Sequence, residues 1–220
     1  MIPAVPFPHS GICKVVHMAN WNGAVASREE IRELKRRAAV RVAARIFNEK
    51  GYHATSLDEI ADEIGVTKTA LYYYFKNKEQ LLYECLVLTY DCGQTAQQEA
   101  QALDGSAYDK LCLMYRRFID TLMEERGAYT TTANIKSLPE CQQKEMFARR
   151  TQLETYIRDL VQDAITEGSV RDVDPRVTAS FFLGAVNWIL RWHSEEEALP
   201  ANAVAAHFVD LFVNGIVKRD

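Results

Sequence analysis

Five cysteines in 220 residues, at 13, 85, 92, 112 and 141, form no CxxC pair. That spacing argues against a disulfide framework and a cysteine-built zinc site, and it fits a reducing cytoplasm. The five histidines, at 9, 17, 53, 193 and 207, are scattered, and none stands at metal-ligand spacing from another. There is no GxSxG, no HExxH and no phosphate-binding glycine loop, so no enzyme is expected, and no metal or cofactor. No apolar run reaches the roughly 20 residues that span a bilayer. The first eight residues carry Pro3, Pro6 and Pro8, and Lys14 is the only basic residue before Arg28, which fits neither a signal peptide nor a transit peptide. Residues 1–27 are expected to be a mobile leader, with Met18 a second candidate for the native start.

What is present is a helical chain. Hydrophobic content of 48% excludes a disordered protein. No stretch shows sustained two-residue alternation, and there is no internal repeat. Gly51, Gly65, Gly127 and Gly168 read as helix stops, while Pro139, Pro175 and Pro200 read as starts, with Asp174 an N-cap before Pro175. These marks predict an all-α fold of about nine helices, near 29–50, 57–64, 68–75, 78–103, 107–126, 128–136, 139–167, 175–193 and 201–217. Two domains are expected after the leader, residues 28–85 and residues 86–220, joined by the helix that begins at Lys78.

Charge is unevenly spread. Residues 28–85 hold 11 Lys and Arg against 10 Asp and Glu, a net of +1; residues 86–220 hold 14 against 20, a net of −6. An acidic total makes a poor generic nucleic-acid binder, so any such contact needs a local basic surface. Arg36, Arg37, Arg41 and Arg45 crowd the first helix; they supply part of that surface or pair with neighbours such as Glu33 and Glu49.

The segment GYHATSLDEIADEIGVTKTALYYYFKNK, residues 51–78, carries the functional signal. Leu57, Ile60, Ala61 and Ile64 form one apolar face, Gly65 breaks the helix, and Thr67 caps the next. Two helices joined by about three residues have helix-turn-helix spacing. On the second, with Lys68 at zero, Tyr72, Thr69 and Tyr73 fall at about 40°, 100° and 140°, while Ala70, Tyr74, Leu71 and Phe75 fall between about 200° and 340°. The second arc suits a protein interior. The first offers a cation, a hydroxyl and two phenols, groups that suit bases and phosphates. Lys78 stands where it can reach a phosphate.

Residues 36–85, from the basic first helix ending in FNEKGYHATS through IADEIGVTKTALYYYFKNKEQLL, resemble the DNA-binding domain of the TetR family of transcriptional repressors. The resemblance implies that Ser56 or Thr55, Thr67, Tyr72 and Lys78 hold phosphates. It implies that Lys68, Thr69 and Tyr73 face base edges, with Ala70 against a thymine methyl. It also implies a homodimer on a palindromic DNA operator, built through a four-helix bundle of the last two helices.

Those two helices are apolar over a wider arc than an ordinary surface helix. Phe181, Gly184, Trp188 and Trp192 on the first, with Phe208, Leu211 and Phe212 on the second, are the expected dimer face. The phrase FFLGAVNWILRWHSEEEALPANAVAAHFVDLFVNGIV resembles the ending of a TetR subset that answers to fatty acyl-CoA, through Gly184, Asn187, Trp188, Arg191 and Trp192. His193 stands where that subset carries tyrosine, and Ser194–Glu197 where it carries a Pro-Gly turn. Asn187 and Arg191, one turn apart among aromatics, suit an anionic amphiphile, although Arg191 equally suits a local carboxylate or the helix end. Met114, Phe118, Met123 and Phe147 are candidate walls of the same pocket. The expectation is a cytoplasmic, ligand-released repressor whose effector is an acyl-CoA or fatty acid. The alternative is a multidrug-sensing regulator of an efflux pump, with acids or aromatics holding cations. No membrane partner is expected.

Overall fold

The computed structural model describes residues 26–124, 132–192 and 200–217. Its elements are α1 (Arg28–Lys50), α2 (Leu57–Ile64), α3 (Lys68–Tyr74), α4 (Lys78–Ala102), α5 (Ala107–Glu124), a 3₁₀ helix (Thr132–Ser137), α6 (Glu140–Thr166), α7 (Pro175–Trp192) and α8 (Ala201–Ile216). The fold is all-α. Compactness divides the chain into two units, Met1–Leu34 and Lys35–Asp220. In the first, Ser27 and Glu30 form a capping box: the Ser27 hydroxyl accepts from the Glu30 N–H, and the Glu30 carboxylate accepts from the Ser27 N–H.

Helix ends fall where side chains satisfy the otherwise orphaned backbone groups. Ser56 caps α2 by accepting from the Glu59 N–H at 3.1 Å. Gly65, at φ 77°, ends α2 in the left-handed region, and the Val66 N–H then closes back on the Ala61 carbonyl at 2.9 Å. Asn77 caps α4 through the Gln80 N–H. Asp174 caps α7 as expected, accepting from the Arg176 and Val177 N–H groups at 2.8 and 2.9 Å. The helix expected over 128–136 differs. Residues 125–131 lie outside the described ones, and Thr132–Ser137 is a 3₁₀ helix. Pro139 follows too soon for an α-helical turn to complete, and the Leu138 N–H bonds the Ile135 carbonyl three residues back. The expected leader lies almost wholly among residues 1–25, outside the described residues.

Two hydrophobic cores form within Lys35–Asp220. One gathers Ala43, Ile46 and Phe47 of α1, Leu57 and Ile60 of α2, Leu71 and Phe75, and Leu81, Leu82, Leu86 and Tyr90 of α4. Ile135, Leu138 and Met146, far along the chain, also belong to it. The other joins Ala96 and Ala100 of α4 with Leu111, Tyr115 and Phe118 of α5, Ile157 and Val161 of α6, Phe182 and Val186 of α7, and Phe212 of α8. Helix α4 is thus a wall of both.

The helix-turn-helix core therefore depends on residues outside the segment that carries the motif. Ile135→Ala, at a fully buried site, should lower the unfolding free energy by about 2–5 kcal/mol. Hydrogen exchange should show lost amide protection in α1–α3, which a substitution affecting the C-terminal half alone would leave intact.

Candidate functional site

Helix α3 has seven residues, too few to hold together alone. It is fastened by Leu71 and Phe75, both buried in the core described above, and by Thr67, whose hydroxyl accepts from the Ala70 N–H at 3.2 Å. With those two side chains turned inward, Lys68, Thr69, Tyr72 and Tyr73 face outward, Tyr72 45% and Tyr73 69% exposed. Ala70, expected on the inner arc, is exposed as well. Leu71 and Phe75, with half-buried Tyr74, already fill the inner side, so the buried stripe is narrower than the arc of apolar residues.

The outward groups are not idle. The Lys68 ammonium lies 2.7 Å from the Asp58 carboxylate and 6.0 Å from the centre of the Tyr72 ring. Its hydrogen bond to Asp58 holds the ammonium's pKa above the ordinary lysine value. Both partners are half exposed, so the pair is screened and a stronger anion can displace it.

Two expected phosphate holders have partners within the protein. Thr55 is buried, and its hydroxyl donates to the Gly51 carbonyl at 2.9 Å, leaving Ser56 as the exposed member of that pair. Lys78 is partly buried, and its ammonium donates to the Tyr52 and Thr55 carbonyls, both at 2.9 Å, while lying 4.2 Å from the centre of the Tyr52 ring. Two of its three N–H bonds are spent on the turn that leads into α2. Lys78 therefore positions the helix-turn-helix. On α1, Arg36 pairs with Glu84, Arg45 with Glu63 and Glu49, and Lys50 with Glu59.

Two cavities open along α6. The outer, about 450 Å³, lies against α4 and is lined among others by Tyr90, Gln94, Arg149, Leu153, Tyr156 and Asp159. The inner, about 150 Å³, reaches α5 and α7 and is lined among others by Tyr90, Phe118, Arg150, Leu153, Leu183 and Asn187. Of the residues expected at a ligand pocket, Phe118 and Asn187 line the inner cavity. Met114 is fully buried core and lines neither cavity, and Trp188 lines neither, being turned outward on α7. Phe147 is exposed, and the side chains of Met123 and Arg191 lie outside those described. Sequence reasoning missed Tyr90, Arg149, Arg150 and Leu153; the adjacent arginines on a helix were the only visible signal. Arg149 also bridges elements: its guanidinium meets Asp91 on α4 at 2.7 Å and Glu145 on α6 at 3.4 Å, and the Tyr83 hydroxyl donates to Glu145 at 2.9 Å.

On α7 and α8, Val177, Phe181, Trp188 and Leu211 are 60–72% exposed, and Gly184 lies on the same outward face. Phe212, expected at the dimer face, is core of its own chain, packed on Tyr115 and Phe182 at ring separations of 4.7 and 5.7 Å. Phe208 is half-buried against the same core, and the Trp192 side chain lies outside those described. Among the described residues no group of three or more His, Cys, Asp or Glu is placed to hold a metal, and no helix is long and apolar enough to cross a membrane.

A helix-turn-helix head with its second helix turned outward, on a helical body containing cavities, defines a one-component DNA-binding regulator. Residues 39–85 match the model of bacterial regulatory proteins of the tetR family, and residues 104–216 match the tetracyclin repressor-like C-terminal domain. The chain belongs to the TetR family. It is 26% identical over 190 residues to the transcriptional repressor KstR2 of Mycolicibacterium smegmatis, covering 84% of this chain and 91% of that one. A TetR/AcrR-family regulator of Thermobifida fusca is 32% identical, with a TM-score of 0.58 over 82% of this chain and 97% of that one. AibR, solved in complex with isovaleryl coenzyme A and operator DNA, is 27% identical, with a TM-score of 0.65 over 80% of this chain and 97% of that one.

The two lysines should separate experimentally. Lys68→Ala should leave the urea unfolding midpoint unchanged while weakening DNA binding. Lys78→Met, which strands two carbonyls, should cost about 1–3 kcal/mol of stability as well. Equal midpoints for the two variants would contradict the positioning role.

Proposed function

We propose that the protein is a ligand-released transcriptional repressor. It holds a palindromic operator as an empty homodimer and lets go when an acyl-CoA or fatty acid fills the cavities along α6. The observation that carries the reading is the outward face of α3, where Lys68, Thr69 and Tyr73 are exposed. In the proposed complex these three meet base edges, with Ala70 against a thymine methyl. Ser56, Thr67 and Tyr72 hold phosphates, and the remaining N–H of Lys78 adds to them. DNA reading stays with residues 28–85, and effector and dimer contacts with residues 86–220.

The exposed stripe of Val177, Phe181, Gly184 and Trp188, with Leu211, is the proposed dimer face. Its spacing of four, three and four residues keeps it on one side of α7, and covering it with a second copy removes it from water. Two heads then address half-sites about one helical turn apart.

The effector class is supported by the isovaleryl coenzyme A bound to AibR and by the cavities themselves. Phe118, Leu153 and Leu183 offer apolar walls, and Arg149 and Arg150 offer cations. The second reading, a sensor of cationic drugs, would use Glu154 and Asp159, which line the inner and outer cavities.

Selection of bound DNA from a random pool, with and without hexanoyl-CoA, palmitoyl-CoA or tetraphenylphosphonium, tests all of this together. The expected outcome is a palindrome that either acyl-CoA abolishes and the cation does not. Release by the cation alone would favour the efflux reading, and an asymmetric single site would refute the dimer. Phe181→Asp combined with Leu211→Asp should yield a monomer by light scattering.

A further inference from the structure

The Tyr90 hydroxyl is out of keeping with its surroundings. The residue is only 6% exposed, its oxygen is buried, and it has no hydrogen-bond partner among the described residues. A buried hydroxyl left unpaired destabilises the fold that contains it. A phenylalanine would pack the same ring without that penalty, so the fold alone gives no reason for the oxygen.

Its position gives one. Tyr90 and Leu153 are the two residues that line both cavities, so this pair stands at the junction between them. The junction is drawn tight by Gly93, one turn further along α4. A Cβ there would lie 2.8 Å from a Leu153 methyl and 3.3 Å from the Phe118 ring, so the missing side chain lets both close on α4. The neighbouring hydroxyl, that of Thr89, already donates to the Cys85 carbonyl at 3.0 Å. Beyond the junction the inner cavity, about 150 Å³, has the volume of a benzene-sized group, with Phe118, Leu153 and Leu183 as its apolar wall and Arg150, Glu154 and Asn187 as polar lining. In front of it the outer cleft offers Gln94, Gln97 and Arg149 to something polar.

Building on the effector reading above, we infer that Tyr90 is a specificity residue for the effector: its hydroxyl donates to the carbonyl oxygen of an acyl thioester whose short chain enters the inner cavity while its polar carrier stays in the outer cleft. Burial pushes the phenol up to about 12, with Arg150 pulling weakly the other way, so it is a protonated donor at neutral pH. Tyr90 is also the cavity residue that belongs to the core of the DNA-reading head. A hydrogen bond made there acts directly on the helix that carries the head.

The test compares full-length Tyr90→Phe with the wild-type protein by calorimetric titration with hexanoyl-CoA and with free CoA, alongside thermal melts. Hexanoyl-CoA should bind the variant about three- to tenfold more weakly. Free CoA, which lacks the carbonyl, should bind both proteins alike, and the variant should melt at the same temperature or higher. Equal hexanoyl-CoA affinity would overturn the role of Tyr90, as would an equal loss for free CoA. A lower melting temperature would assign the hydroxyl to the fold instead. If the wild-type protein binds operator but no hexanoyl-CoA, the effector reading itself fails and takes this inference with it.

Discussion

Helix α4 is shared between two hydrophobic cores, and the rest of the molecule is organised around that sharing. Twenty-five residues make a rod of about 37 Å. Its first half gives Leu81, Leu82, Leu86 and Tyr90 to the head, and its second half gives Ala96 and Ala100 to the larger body. No glycine or proline breaks it between the two sets except Gly93, which is buried and pressed by Leu153 and Phe118. A rod clamped at both ends transmits displacement without a hinge. The insertion of Ile135, Leu138 and Met146 into the head's core adds a second physical link. Division of labour between the two regions of the chain is thus compatible with cores that cross the boundary between them.

The head's charges are arranged to hold its helices together before they meet DNA. Arg45 and Lys50 tie α1 to α2, Arg36 ties it to α4, and the Lys78 ammonium ties the start of α4 to the turn ahead of α2. These pairs hold the helices around α3, whose own anchors are Leu71 and Phe75. Arg36, Arg45 and Lys50 are thus already matched by carboxylates of their own chain, whose net charge is −4. In the proposed complex, recognition would lean on the hydroxyls and phenols of α3 more than on a broad basic field.

Helix limits were legible because they are written locally. Gly65, Thr67 and Asp174 act on backbone groups within a few residues of themselves, and each stands where the sequence suggests. The two-sidedness of α3 was legible for the same reason. The internal bonds of Thr55 and Lys78 were not legible, because their partners are carbonyls of a turn whose path depends on packing, not on periodicity. Phe212 was misassigned because an apolar face does not say which side of a wide stripe meets its own chain. Cavity lining was least legible: it is contributed by four helices, and their relative rotation is fixed only once both cores have formed.

The outer cleft distinguishes the two proposed effector classes by the sign of their effect. Its Arg149 guanidinium already serves two carboxylates, Asp91 on α4 and Glu145 on α6, and so helps hold those helices together. In the effector reading proposed above, an anion entering the cleft would compete with Asp91 for that guanidinium, one of the contacts between α4 and α6. A cation drawn to Asp159 leaves the bridge in place. A ligand shifts an equilibrium only by the difference in its affinity for the two states. An anion held by Arg149 gains most when Asp91 has let go, so its binding energy depends on where α4 sits. The cation has no such dependence through this contact. On electrostatic grounds, an anionic effector of the kind proposed above would bear on the Arg149 contact between α4 and α6, and a cationic one would not.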